Sequence, residues 1–195
     1  MGVRVLFVFT LRKAFSREHP IASPTGIQIG LSSIAAVLKS HGHEVEVIVL
    51  SGLVPRPEDA LLEQVARFNP DVVGFTAIFS EFDLVRRLAE RVKHAFPGLF
   101  LAIGGVHVTL NPEDALGGPF DAICLGEGEF PTLELVDQLA RRETPTKIAN
   151  LWIRTPDGFE RNEPRPFLAD LDALPFPDRS IWQRWIDPGG RPREM

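Results

Sequence analysis

Apolar positions along the first two thirds of the chain follow two alternating rhythms. Residues 3–9 form an almost unbroken apolar run, as expected of a strand covered on both faces. A loop with Ser, Pro and charges occupies residues 11–24. Thr25 then stands where a helix N-cap is expected. Ile27, Leu31, Ile34, Ala35 and Leu38 recur at helical spacing up to about His41, and Gly42 stops that helix. Residues 44–50 alternate as an outer strand, 57–68 read as a helix, Asn69-Pro70-Asp71 as a turn and 72–76 as a third strand. Ser80 is expected to cap a helix to Phe96, with Phe82, Val85, Leu88, Ala89 and Val92 inward. Residues 99–103 and 122–125 read as the fourth and fifth strands, with a short helix over 112–116 between them. The last regular helix is expected over 130–141.

Strand and helix in strict alternation predict an α/β fold: a Rossmann-like (flavodoxin-like), doubly wound parallel sheet of five strands in the order 2-1-3-4-5. The first, third, fourth and fifth loops then converge at one edge. After Arg142 the rhythm changes. Residues 150–155 and 159–162, joined by Pro156-Asp157-Gly158, read as a hairpin. From Glu163 onward six prolines predict an extended tail to residue 195. It is ordered only if Leu168, Leu171, Leu174, Phe176, Trp182 and Trp185 find cover. The expected organisation is a Rossmann-like domain over 1–145, then a hairpin and Pro-rich linker or tail over 146–195.

Composition narrows the partners. A hydrophobic share of 44% in 195 residues suffices for a packed core, and a net charge of -5 argues against tracking nucleic-acid phosphates. No apolar stretch is long enough to span a membrane, and the first ten residues read as a strand rather than a signal peptide. A single cysteine, Cys124, leaves no disulfide framework, and a cytoplasmic location is expected.

The chemistry concentrates in two glycine turns, Gly104-Gly105 and Gly126-Glu127-Gly128, each directly after a strand. Without Cβ, the backbone there can turn sharply and let a flat ligand approach. Turns of this kind at the carboxyl ends of adjacent parallel strands shape the crevice where open α/β sheets bind ligands. A phospho-receiver is disfavoured: the third strand ends Thr76-Ala77 without a carboxylate, and Thr10-Leu11-Arg12-Lys13 replaces an acidic pair. A nicotinamide fingerprint is missing from the long first loop. A flavin or other small ligand at Ser23-Pro24-Thr25-Gly26, on a helix N-terminus, remains an alternative.

The phrases Gly104-Gly105-Val106-His107-Val108-Thr109, Pro112-Glu113 and residues 121–129 together resemble the cobalamin-binding domain of B12-dependent radical S-adenosylmethionine enzymes. Residues 26–42 resemble that family's first helix, 70–76 its third strand and 171–179 the linker into its catalytic barrel. The resemblance implies a cofactor site from Thr10, Thr76, Ala77, Ile78, Phe79, Gly104, Gly105, His107, Thr109, Gly126, Glu127, Gly128 and Glu129. Small residues at Gly74 and the two turns would open a slot for the nucleotide tail. Residues 77–79 would face the lower side of the corrin, His107 would donate to amides or tail, and Glu127 and Glu129 would accept from ribose or amides or assist the next helix. Val at Gly105 or Gly126 is expected to block binding without unfolding the chain.

Two departures qualify the resemblance. Radical chemistry needs a Cys-x3-Cys-x2-Cys motif for a 4Fe-4S cluster, and only Cys124 is present, so this chain alone is expected to catalyse no radical step. The cluster and S-adenosylmethionine would belong to a barrel following in cis or to a partner protein. The parent enzyme implied is a methyltransferase; a stand-alone cobalamin carrier or sensor is the alternative. The Asp-x-His-x-x-Gly phrase that supplies a cobalt ligand elsewhere is also missing. His19 lies in the corresponding loop without its neighbours, so base-off cobalamin with no metal ligand from this chain is expected. His41 and His43, beside the helix stop, are expected to face solvent.

Overall fold

In the computed structural model, residues 2–188 are described; Met1 and tail residues 189–195, included above in the first strand and the extended tail, lie outside them. The parallel strands are β1 (Arg4–Leu11), β2 (Glu44–Ser51), β3 (Val72–Thr76), β4 (Phe100–Gly104) and β5 (Ala122–Cys124). The helices are α1 (Ile29–Ser40), α2 (Pro57–Phe68), α3 (Phe82–Ala95), α4 (Val106–Leu110) and α5 (Glu129–Ala140). The parallel order is the expected 2-1-3-4-5. The hairpin strands β6 (Leu151–Thr155) and β7 (Gly158–Arg161) do not stand apart but add antiparallel to β5, making a seven-stranded sheet. The reason is burial: Leu151 and Ile153 pack with Ile148 and Leu135 of α5, covering an edge that would otherwise be unpaired.

Period-two alternation sends the strands' side chains to opposite faces. Leu6, Val8, Val73, Phe75, Leu101, Ile103 and Ile123 pack on α2 and α3. Val5, Phe7, Val47, Val49 and Val72 pack on α1 and α5. Helix starts differ from expectation. The hydroxyl of Thr25 pairs with Ser23 at 2.6 Å in a 3-10 turn. Gln28 caps α1 instead, its Oε1 accepting from Leu31 N at 2.7 Å. Ser80 sits in a 3-10 turn (Phe79–Glu81), and α3 starts after Glu81 with no side-chain cap. The residues after Gly105 also form a helix, α4, that the sequence pattern did not predict.

The tail is not uniformly extended. Leu171 and Phe176 stay exposed, but residues 180–185 form a 3-10 helix whose Trp182 is fully buried. Trp182 Nε1 donates to Ser32 Oγ at 2.8 Å, and Trp185 Nε1 donates to Val47 O at 3.0 Å. His43 also corrects expectation: it is 7% exposed, with Nδ1 accepting from Val3 N and Nε2 3.2 Å from Asp137 on α5. The turn after α1 folds it inward, where it satisfies a backbone donor that would otherwise be buried unpaired.

Candidate functional site

On the α1/α5 face of the sheet the alternation runs through small residues. Gly74 pairs in register with Ala102, and Thr76 with Gly104, while Cys124 continues the stripe on β5. Their large chain neighbours point to the other face, so side chains are missing from one side of the carboxyl half of the sheet. The result is a cleft of about 450 Å3 descending from the carboxyl edge between the sheet and two helices, with Leu31 and Ile34 of α1 and Thr132 and Leu135 of α5 as walls. Ala102 and Cys124, deep in the sheet, are only half-buried for this reason. Gly74 has a second role: a Cβ there would sit 2.7 Å from the Phe7 ring, so the glycine also seats that ring.

The glycine turns frame the mouth. Gly105 has φ +98, and a Cβ on it would lie 2.7 Å from Ala77 O and 2.9 Å from Ala77 N. That peptide is itself engaged, Ala77 N donating to Gly104 O and Ala77 O accepting from His107 N. A side chain at Gly105 therefore strikes backbone that joins the ends of β3 and β4, which corrects the expectation that Val there would spare the fold. Gly126, φ +75, donates its N–H to Thr109 Oγ1 at 3.0 Å, and the same hydroxyl donates to Gly105 O at 3.0 Å. Thr109 thus ties one turn to the other. A Cβ on Gly128 would press within 2.7 Å of Ile34 Cδ1 across the cleft.

The carboxylates divide in role. Glu127 Oε2 accepts from Leu168 N at 3.2 Å, which holds the tail across the cleft and brings Phe167 into its lining. The strap is secured further back: Asn150, at φ +73, donates to Leu125 O and accepts from Arg165, whose guanidinium also grips Glu134 on α5. Asn tolerates that left-handed backbone better than most residues. Glu129 opens α5 and lines the cleft. Burial pushes its carboxyl above the ordinary value, with Glu127 adding to the rise against the backbone hydrogen bonds at the helix start. Asp121 is structural, accepting from Leu101 N and Lys93 Nζ, each at 2.7 Å.

Eight of the thirteen cofactor-site residues implied by the resemblance meet at this cleft: Thr76, Gly104, Gly105, Thr109, Gly126, Glu127, Gly128 and Glu129, and Gly74 joins them. Thr10 and Ile78 line a neighbouring pocket of about 690 Å3 between the ends of β1 and β3, which shares Thr76 and Gln28 with the cleft. Three others lie in neither lining. Ala77 is buried, and Phe79 is 83% exposed on the carboxyl edge. His107 is 3% exposed, with its ring 4.3 Å from that of Phe82. Its Nε2 is 3.1 Å from Asp114 Oδ2, yet neither ring nitrogen has hydrogen-bond geometry. Formation of α4 turns His107 under the edge and presents Val106 and Thr109 to the cleft instead. His19 is half-buried in the first loop, where its backbone pairs with Ser16. Sequence reading missed Gln28, Ala102, Thr132 and Phe167. Gly74, Ala102 and Gly104 share a visible period of two, but strand register alone puts them side by side.

Cys124 gives a pH-dependent expectation. Burial, then Glu129, push its thiol up to about 12, with Arg165 pulling the other way. The folded chain disfavours the thiolate, so this contribution to stability is complete below the unfolded value and is lost as pH rises. The loss should run from about pH 8.5, the value for a free cysteine, toward about 12. Cys124→Ala should flatten the alkaline fall in thermal midpoint; an unchanged slope would place the effect elsewhere. The chain has no tyrosine to obscure the measurement.

Comparison with known proteins shows the family and the fold. The chain is 33% identical over 168 residues to an uncharacterized methyltransferase of Pyrococcus horikoshii, covering 83% of this chain and 35% of that protein. It is 30% identical over 199 residues to the anaerobic magnesium-protoporphyrin IX monomethyl ester cyclase of Rubrivivax gelatinosus, covering 94% of this chain and 34% of the relative. The chain thus spans about a third of the length of the curated relatives it matches. In fold it is similar to the radical S-adenosylmethionine methyltransferase TsrM of Kitasatospora setae, solved with cobalamin and a 4Fe-4S cluster bound. There the TM-score is 0.68 at 20% identity, covering 93% of this chain and 32% of that one. The family model of the B12 binding domain matches residues 22–136, from the approach to α1 through most of α5, which is more than half of the chain. The chain belongs to the B12-binding domain family.

Proposed function

We propose that the cleft between the sheet and α1/α5 receives the nucleotide tail of cobalamin, with the corrin across the carboxyl edge above it. One observation carries this placement: the small-residue stripe Gly74, Ala102, Gly104 and Cys124 opens a slot of about 450 Å3 beneath the glycine turns. That volume lies in the range of small-molecule sites. Leu31, Ile34 and Leu135 suit an apolar base, while Thr109 and Thr132 offer hydroxyls toward a sugar and phosphate linkage and Glu129 an acceptor for a sugar hydroxyl. Bound cobalamin supplies a cobalt centre able to carry a methyl group. The chain contributes shape and hydrogen bonds and leaves cobalt without a protein base. In support, no histidine lines the cleft or the adjoining pocket among the described residues. We further propose that the domain serves a larger B12-dependent radical S-adenosylmethionine enzyme, a methyltransferase, whose cluster and substrate site lie outside this chain.

Reconstitution with hydroxocobalamin followed by gel filtration should give about one equivalent of corrin co-eluting with the protein. Complete separation of colour from protein overturns the reading. Paramagnetic resonance of the Co(II) form should show no nitrogen splitting from the protein; splitting that disappears in His19→Ala overturns the base-free assignment.

A further inference from the structure

A buried carboxylate outside the cleft has an oxygen with no hydrogen-bond partner. Glu81, in the turn that leads into α3, is 6% exposed, and its Oε1 makes no hydrogen bond. The nearest cation is Arg12, whose Nε is 3.8 Å away on a side chain 72% exposed to solvent. Nor does Glu81 cap α3, which has no side-chain cap at its start. Glu81 instead lines the pocket between the ends of β1 and β3, together with Thr10, Thr76, Arg12 and Lys13. Burying a carboxylate without a hydrogen-bond partner destabilises a fold, so an acceptor held this way needs an external donor to satisfy it.

The surroundings limit what that donor is. Among the described residues no group of three or more His, Cys, Asp or Glu forms a metal cage. Arg12 and Lys13 share the lining, which disfavours a cationic ligand, and Glu81 itself disfavours phosphate. A neutral group rich in N–H fits, and a primary carboxamide fits best. Its NH2 donates to Glu81 while its oxygen accepts from a donor of the same lining, Thr10, Arg12 or Lys13. The pocket and the cleft share Thr76 and Gln28, so a ligand that fills the cleft reaches this pocket along the same edge. The periphery of a corrin carries several primary carboxamides.

We infer that Glu81 is a cofactor-binding residue, the acceptor for a peripheral carboxamide of the corrin, and that the pocket beside β1 is a second arm of the site. This rests on the cobalamin reading of the cleft. It places recognition of the corrin rim at Glu81 and of the nucleotide tail at the small-residue slot.

The test uses Glu81→Leu and Glu81→Gln, titrated spectroscopically with hydroxocobalamin and with cobinamide, which keeps the corrin amides and lacks the nucleotide. Glu81→Leu should weaken both ligands by the same factor, at least about tenfold, as for loss of a charge-assisted hydrogen bond. Glu81→Gln, which keeps an acceptor, should lose less. The thermal midpoint of the ligand-free protein should rise or hold in Glu81→Leu, because a buried acceptor without a hydrogen bond is gone; a residue kept for structure would lower it. Unchanged affinity for both ligands overturns the inference while leaving the cobalamin reading intact. So does a loss confined to hydroxocobalamin. Failure of the unaltered chain to bind either corrin overturns both.

Discussion

Gly104→Val should weaken cobalamin binding on the order of a hundredfold while shifting the thermal midpoint by only a few degrees. Gly104 ends β4 on the cleft side of the sheet, one pleat beyond Ala102. A Cβ there meets nothing closer than Cys124 Cβ at 3.5 Å, an ordinary contact, and its backbone is not in the left-handed region. A β-branched residue is therefore acceptable to the strand. Its methyl groups, however, occupy the slot. Gly105→Val is the instructive contrast. There the new Cβ meets the Ala77 peptide at 2.7 Å from backbone with φ +98, so stability itself should fall and binding be lost with the fold. Spectral titration and thermal melts on the two variants separate ligand clearance from chain geometry. If Gly104→Val binds cobalamin normally, the tail does not lie in this cleft.

Trp182→Ala should destabilise the protein by about 3–5 kcal/mol, lowering the thermal midpoint by roughly 10 °C. Trp182 has no exposed surface, stands edge-on to Phe9 at 5.5 Å and donates its indole N–H to Ser32 on α1. Around it, Asp178 N donates to Ser32 O, and its carboxylate pairs with Lys39 at 2.6 Å. Burial opposes ionisation of Asp178, but the bonds from Lys39 and Ser180 outweigh it and hold the carboxyl below its ordinary value. The tail thus completes the α1 side of the core rather than trailing from it. Urea or thermal unfolding checks the prediction; a loss under about 1 kcal/mol would mean that the tail merely rests on a finished fold. The effect also reaches the site, because α1 carries Leu31 and Ile34 into the cleft wall.

The sequence by itself determined the parallel α/β core, its strand order and the edge where the glycine turns gather. These follow from local periodicity and from a handedness rule that acts on every strand–helix–strand unit. Glycines 104, 105, 126 and 128 were equally legible, because glycine directly after a strand is a local signal. Tertiary structure decided what each residue faces. Register set Gly74 beside Ala102 and Thr76 beside Gly104, turning scattered small residues into one slot. Formation of α4 took His107 out of the cleft, and the strap from Asn150 to Leu168 engaged Glu127 and added Phe167. Trp182 and His43 found partners 150 and 40 residues away in the chain. No window of sequence contains such partners. Long-range contacts are fixed only when whole elements pack, since their energy comes from burial shared across the chain rather than from the preference of any one segment.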